Sequence, residues 1–302
     1  GKSSEETKDM YRYAEKRGGG IDIPPTNLPT LNFSETTVMF SPSFQVTEFA
    51  NIYFRYSEGY RSGGYDGQSA ANPGFSTPYD SELLTAYELG LKSQWFDRRL
   101  QINTAIFLSD YEDIQIASYD SVTFSTFTDN AAKAQISGLE LEVLALVSES
   151  LTLSLNYGYL NAEYDEFNAA TESSGGIQDL ADVAAFPYTP ENTVNVGIDY
   201  SPNLFNLGVF NIHLDYSYVD DHQIGAHNAG ETPRGGIENY SLVNARISLS
   251  DIAMNDQTIE VALWGKNILD EEYRTTTIDF QDFVGGEIGD GASYGVEASM
   301  HF

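Results

Sequence analysis

Apolar side chains recur at every second position in one segment of this chain after another, and that period belongs to strands. Ile52, Phe54 and Tyr56 alternate with Asn51, Tyr53, Arg55 and Ser57. Leu139, Leu141, Val143 and Ala145 oppose Gly138, Glu140 and Glu142, and Leu151, Leu153, Leu155, Tyr157 and Tyr159 oppose Thr152, Ser154, Asn156 and Gly158. The same alternation runs through Thr85–Gln94, Leu100–Ser109, Val194–Tyr200, Phe210–Tyr218, Val243–Leu249, Ile259–Lys266 and Tyr294–Phe302. With a weaker segment at Thr36–Val46, about eleven strands of roughly ten residues are expected, the length a tilted strand needs to cross a bilayer. No comparable segment repeats every 3.6 residues, so the fold class is all-β.

The connections alternate in length. Trp95–Arg99, Ser148–Ser150, Ser201–Asn206 and Asp251–Gln257 are short; Arg61–Ser81, Tyr111–Ala132, Glu163–Tyr188, Asp220–Glu238 and Asn267–Ser293 are long. Short turns on one rim and long loops on the other are the arrangement of outer-membrane barrels, and a soluble sandwich has no reason to sort its loops this way. The apolar face is then expected to meet lipid and the polar face a lumen. Aromatics near strand ends (Tyr56, Tyr60, Trp95, Phe96, Tyr111, Tyr164, Tyr188, Tyr200, Tyr218 and Tyr240) read as interfacial girdles.

Charge narrows the partners. The 302 residues include 15 Lys and Arg against 45 Asp and Glu, a net charge of −30. Phosphate contacts need clustered Lys and Arg, so nucleic acid is excluded. Glu163–Tyr188 holds six acids and no Lys or Arg, and Asn267–Ser293 holds seven acids and one Arg, so much of the charge sits on the long-loop rim. Solvation of the loops accounts for most of this; a rim that binds divalent cations or admits cationic ligands is the sharper alternative. No uncharged apolar run reaches the roughly 18 residues of a membrane helix. The chain has no Cys, which removes thiolate metal sites, iron–sulfur clusters and cysteine nucleophiles.

Several segments resemble the β-barrel domain of TonB-dependent outer-membrane receptors. Asn51–Tyr65 resembles the family's aromatic strand followed by S-x-G-F/Y-R. Glu82–Phe96 resembles its E-x-x-x-x-Y-E-L-G-L-K-S segment, followed by the turn Asp97-Arg98-Arg99. Ser137–Val143 resembles the family's G-x-E-x-E strand. Val261–Tyr273 resembles its penultimate strand, with Lys266-Asn267 and Asp270-x-x-Tyr273, and Tyr294–Phe302 ends in an aromatic. The likeness covers roughly Thr36–Phe302. It implies a transmembrane antiparallel β-barrel of which this chain is the C-terminal half, about 11 strands of an expected 22, with the plug domain absent. Residues 1–35 are then expected to be an extracellular loop segment, and residues 36–302 the barrel portion. The first and last strands both run inward, and such an odd set does not close by itself.

By the same resemblance, the whole receptor sits in the bacterial outer membrane and takes up a scarce nutrient, most directly an iron–siderophore complex. Its partners are the ligand, outer-membrane lipid and the TonB energy-transducing complex, reached through the missing plug region. No covalent chemistry, cofactor or resident metal is implied. Uptake of a saccharide, cobalamin or haem, and a passive porin-type barrel, remain open. Phe75, Tyr79, Phe124 and Phe127 suit stacking on a sugar as well as on a siderophore.

Candidate ligand contacts are few. Tyr60, Arg61 and Tyr65 follow an outward strand, where Arg grips an anionic oxygen and Tyr stacks on an aromatic ligand. A wall role for Arg61, paired with a carboxylate, competes with this. Asp220-Asp221-His222 and His227 place acids and imidazoles in one long loop. The haem receptors of the family carry F-R-A-P and N-P-N-L around a loop histidine. Here those positions read Tyr60-Arg61-Ser62-Gly63 and Asn72-Pro73-Gly74-Phe75, so haem is disfavoured. Gly291-Ala292-Ser293-Tyr294-Gly295 fits G-x-S-x-G but opens a strand, where a nucleophile elbow needs a strand, a turn and a helix.

Overall fold

The computed structural model describes residues 2–8, 11–14, 23–66, 78–120, 125–171, 176–203, 207–226, 235–254, 257–279 and 283–301. Their regular structure is all strand. β1 (Lys2–Lys8), β2 (Tyr11–Ala14), β3 (Ile23–Asn27) and β4 (Leu31–Thr37) come first. β5 (Met39–Phe40) and β6 (Ser43–Thr47) lead down to β7 (Ala50–Arg61), which is followed by β8 (Glu82–Trp95), β9 (Leu100–Asp120), β10 (Ser125–Ser148) and β11 (Leu151–Thr171). Then come β12 (Gly176–Asp179), β13 (Asn192–Tyr200), β14 (Val209–Val219), β15 (Tyr240–Met254) and β16 (Gln257–Lys266). β17 (Arg274–Asp279), β18 (Val284–Ile288) and β19 (Ser293–His301) end the chain. No helix among the described residues is long and apolar enough to cross a membrane.

One antiparallel sheet holds 13 of these strands, in the order β19-β16-β15-β14-β13-β11-β10-β9-β8-β7-β5, with β12 added to β11 and β6 to β7. Neighbours in space are neighbours in sequence, so the wall is an up-and-down meander. Its two edges are not paired to each other among the described residues. Ten of the eleven expected segments are path members, and the eleventh, Thr36–Val46, is divided among the end of β4, the two-residue β5 and the off-path β6. β1 pairs with β4, β2 with β3 and β17 with β18 outside this sheet, and β4 runs across the expected boundary at residue 35.

Register converts the alternation into two faces. Ile102, Val143, Leu155, Val196, Tyr216 and Val243 lie in one row across six strands. The neighbouring row is Lys92, Asn103, Glu142, Asn156, Asn195 and Ser217. Because side chains alternate, a slip by one residue would exchange these rows, and burial of one face in lipid forbids it. Among the described residues the apolar face is left uncovered: Ile106 is 51% exposed, Leu263 56% and Val296 73%. A sheet that leaves such a surface bare needs lipid against it.

The buried hydrophobic side chains are mostly Ala, and one hydrophobic cluster (Ala132, Phe167, Ala169 and Leu180) stands on the long-loop side. Phe107 on the polar face lies over Gly138, where a Cβ would meet its ring and the Tyr159 carbonyl.

The turns explain the sorted rims. Phe96, Asp97 and Arg98 all have positive φ (54°, 56° and 67°), and Arg99 donates to the carbonyls of Leu146 (3.1 Å) and Val147 (2.8 Å) on β10. The short rim is thereby laced from one turn to the next.

The other rim departs from expectation. Tyr111–Ala132, expected as a loop, is mostly strand, since β9 and β10 remain paired up to Asp120 and Ser125. At about 3.3 Å per residue, the 21, 24 and 21 residues of β9, β10 and β11 far exceed a tilted crossing of a ~30 Å bilayer. Beyond the wall the sheet needs no lipid-facing period, which is why the alternation fades there.

Candidate functional site

Two clusters occupy the long-loop rim. The first is built on the loop after β7. Ser62, Gly63, Gly64 and Tyr65 are buried, and Gly64 forms an isolated antiparallel bridge with Tyr79. Gln115 on the outer part of β9 donates its side-chain amide to the carbonyls of Arg61, Ser62 and Asp80 at 3.3, 3.1 and 3.1 Å. Asn130 on β10 accepts from the Asp80 amide (2.6 Å) and donates to the carbonyls of Asp80 and Asp113. Glu82 accepts from the Gln115 backbone, and Thr128 donates to Asp66. The long β9–β10 hairpin thus clamps this loop.

Tyr65 is 8% exposed and its hydroxyl donates to the Pro29 carbonyl at 2.8 Å, so it packs the segment before β4 onto the loop. Tyr60 is half-buried on β7. Arg61 is exposed opposite Glu82, and no carboxylate of the described residues forms an ion pair with its guanidinium.

The second cluster joins three consecutive long loops. The Ala185 amide donates to the Ala226 carbonyl (2.9 Å), and the Tyr188 amide to the Gln223 carbonyl (2.7 Å). These bonds tie the β11–β13 loop to the β14–β15 loop. Tyr188 Oη lies 3.4 Å from Thr276 Oγ1 on β17, and Thr277 Oγ1 donates to the Gly235 carbonyl, which adds the β16–β19 loop. His222 is half-buried here, its ring 6.3 Å from that of Tyr188. His222 Nδ1 is 3.0 Å from the Asp220 carbonyl. A carbonyl only accepts, so Nδ1 carries a proton, and in the neutral ring Nε2 presents its lone pair.

Five strands of the sheet separate β7 from β14, so His222 belongs to a different cluster from Tyr60, Arg61 and Tyr65, and Tyr60 and Arg61, adjacent on β7, project to opposite faces of the sheet. His227, Phe75 and Phe124 lie outside the described residues, as does the side chain of Phe127.

Electrostatics above the wall follow hydrogen bonding. The Asp220 carboxyl is held below its ordinary range by the Asn192 side-chain amide and the Tyr218 hydroxyl. Asp179 is lowered by the backbone amides of Phe167 and Ala181. Burial pushes the Tyr164 phenol up to about 12. Tyr164 stacks on Phe186 at 4.1 Å and meets Phe167 edge-on, and Tyr240 stacks on Tyr273. Tyr164, Tyr188 and Tyr240 therefore pack loops, not the interfacial girdle expected for them. Phe96, 76% exposed on the short-turn rim, keeps that position.

The polar face of the wall is paired. Arg246 sits 2.7 Å from Glu260 and 3.6 Å from Glu297, His213 is 2.8 Å from Asp199, and Tyr53 donates to Glu88 with Lys92 over its ring. Among the described residues no group of three metal-ligating side chains converges. Sequence reasoning did not find Gln115, Asn130 or the junction role of Tyr188. Gln and Asn in an apparent loop carry no signal of the carbonyls they meet.

The family description that matches over residues 11–299 is TonB dependent receptor-like, beta-barrel. The ferric-pyoverdine M114 receptor PbuA of Pseudomonas sp. (strain M114) is 28% identical over 260 residues, covering 80% of this chain and 28% of that protein. Two solved structures share the fold. The ferric yersiniabactin uptake receptor FyuA from Yersinia pestis has a TM-score of 0.72 at 18% identity, over 92% of this chain and 39% of that one. The siderophore receptor PiuA from Acinetobacter baumannii has a TM-score of 0.70 at 18% identity, over 94% and 38%. The chain thus spans well under half the length of each.

Proposed function

Because the chain belongs to the TonB-dependent receptor β-barrel family, we propose that it forms part of the wall and ligand-capturing rim of a receptor that imports a ferric siderophore by energised uptake. The chain is part of an outer-membrane β-barrel. One observation carries the functional reading: a two-faced meander, apolar outside and charged inside, whose long loops interlock on a single rim. The named relatives, described as receptors for ferric pyoverdine, ferric yersiniabactin and a siderophore, support iron chelates as the cargo class.

In this reading residues 36–302 supply the barrel portion. Residues 1–35 supply an extracellular loop segment, supported by the Tyr65–Pro29 bond on the long-loop side. Arg61, in the inward register at the outer end of β7, is the ligand contact of this strand, Tyr60 shares the outward register of Ile52, Phe54 and Tyr56, and Tyr65 fixes the loop that follows. The energy-transducing TonB complex is the partner on the opposite side of the membrane. The chain's own residues bind and orient, with no covalent step.

The test is uptake of radiolabelled ferric chelates by iron-starved cells with and without the gene. Loss of uptake in the deletion strain, and retention of binding but not import when the proton-motive force is collapsed, are expected. Import that continues after collapse would replace this reading with a passive pore.

A further inference from the structure

The three-loop junction is rich in acceptors and poor in cations. In the neutral imidazole His222 offers Nε2 as a lone pair, since Nδ1 donates to the Asp220 carbonyl. Among the described residues Gln223 Oε1 is buried without a hydrogen-bond partner. An unmet buried acceptor is costly and calls for a donor. Asp221 is exposed beside His222. Tyr188 presents a ring that is 57% exposed, held at φ 57°, a conformation uncommon for an aromatic residue and found where surroundings impose it. The segments Glu163–Tyr188, Asp220–Glu238 and Asn267–Ser293, which include the outer end of β11 and the loops that meet here, carry 17 Asp and Glu against two Arg.

Charge of the cargo then becomes decisive. Three hydroxamates neutralise Fe(III), whereas three catecholates leave a trianion, and like charges within a Debye length of about 8 Å repel strongly. We infer that the Tyr188–His222–Thr276 junction is a ligand subsite that selects a ferric chelate of zero or positive net charge bearing N–H donors, in preference to an anionic tris-catecholate. The aromatic ring covers one face of the chelate, and His222 Nε2 and the neighbouring carboxylates receive its donors. This inference rests on the reading of the chain as part of a ferric-siderophore receptor.

The experiment is equilibrium binding of three iron-labelled probes to the full-length receptor in outer-membrane vesicles. Ferrioxamine B is cationic with a free ammonium, ferrichrome is neutral and ferric enterobactin is trianionic. At low salt, ferrioxamine B is expected to bind at least about tenfold more tightly than ferric enterobactin, with ferrichrome between, and added salt is expected to narrow the gap. Tyr188→Ala and His222→Ala should each weaken ferrioxamine B by about tenfold, while Tyr188→Phe, which keeps the ring, should stay near the parent. Heat-modifiable gel migration verifies assembly. If Tyr188→Ala does not assemble, His222→Ala carries the test. Tighter binding of ferric enterobactin, or unchanged affinity in assembled His222→Ala and Tyr188→Ala, would overturn the subsite and leave iron-chelate uptake standing. Binding of no ferric chelate would overturn the proposed function and this inference with it.

Discussion

Asn267 organises the last long loop almost alone. It is 3% exposed with φ 47°, and its side chain donates to the carbonyls of Glu271 and Asp290 and accepts from the Glu271 amide. Its own amide donates to Asn244 on β15, which fixes the loop to the wall. Asn is favoured because it tolerates the left-handed region and offers both donor and acceptor. Asn267→Ala should destabilise the assembled receptor by about 3 kcal/mol, from unmet buried groups and backbone strain together. Heat-modifiable migration measures this, with Asn267→Gly expected between the two because it relieves only the strain. Asp270, at φ 55°, accepts from the Ala292 amide, and Tyr273 stacks on Tyr240 with Gly289 beneath its ring. The Lys266-Asn267 and Asp270-x-x-Tyr273 pattern was legible as a resemblance; these contacts are its physical cause.

Among the elements, the paired strands β11 and β13 carry the cleanest test of the two faces. Val196 lies in the outward apolar row and Asn195 in the inward polar one. Val196→Arg should cost about 2–4 kcal/mol in bilayer stability, as for a cation near the midplane on a lipid face, and Asn195→Arg far less. Denaturant titration in lipid vesicles distinguishes them, and equal costs would mean the faces are misassigned.

The outer end of β11 makes a pH prediction. Asp179 accepts from the amides of Phe167 and Ala181, and its folded pKa is depressed. Its contribution is complete above the unfolded aspartate value of about 3.9 and is lost as pH falls through the lower folded value. Protection of those two amides from hydrogen exchange, corrected for intrinsic rates, should fall in that acidic window. Asp179→Asn should show weak protection that does not change with pH.

The whole molecule divides into a wall held by register and a rim held by loop-to-loop bonds. If the three-loop junction is one unit, Ala185→Cys with Ala226→Cys should oxidise spontaneously, since their backbones share a 2.9 Å hydrogen bond and this chain contributes no other cysteine. Thiol quantification with and without reductant reads the result; two free thiols would place the loops apart. The acidic charge belongs to this scale as well, because it is distributed over loops distant in sequence and acts on a ligand as one field.

The sequence by itself determined the wall. Alternation at period 2 selects strands, strand length selects a membrane crossing, and turn length assigns the rims, all of them local properties readable one segment at a time. Only the tertiary structure decided which rim residues meet. Tyr188 and Thr276 are 88 positions apart and Gln115 and Ser62 are 53 apart, and no spacing rule connects them. Tyr60 and His222 looked equally exposed to a ligand in the sequence, yet five strands part them. The outer hairpin of β9 and β10 was read as a loop because polar strands above the membrane have no apolar face to alternate. Lipid imposes a pattern on the wall, and water imposes none on the rim, so packing there is settled by contacts that only the folded chain contains.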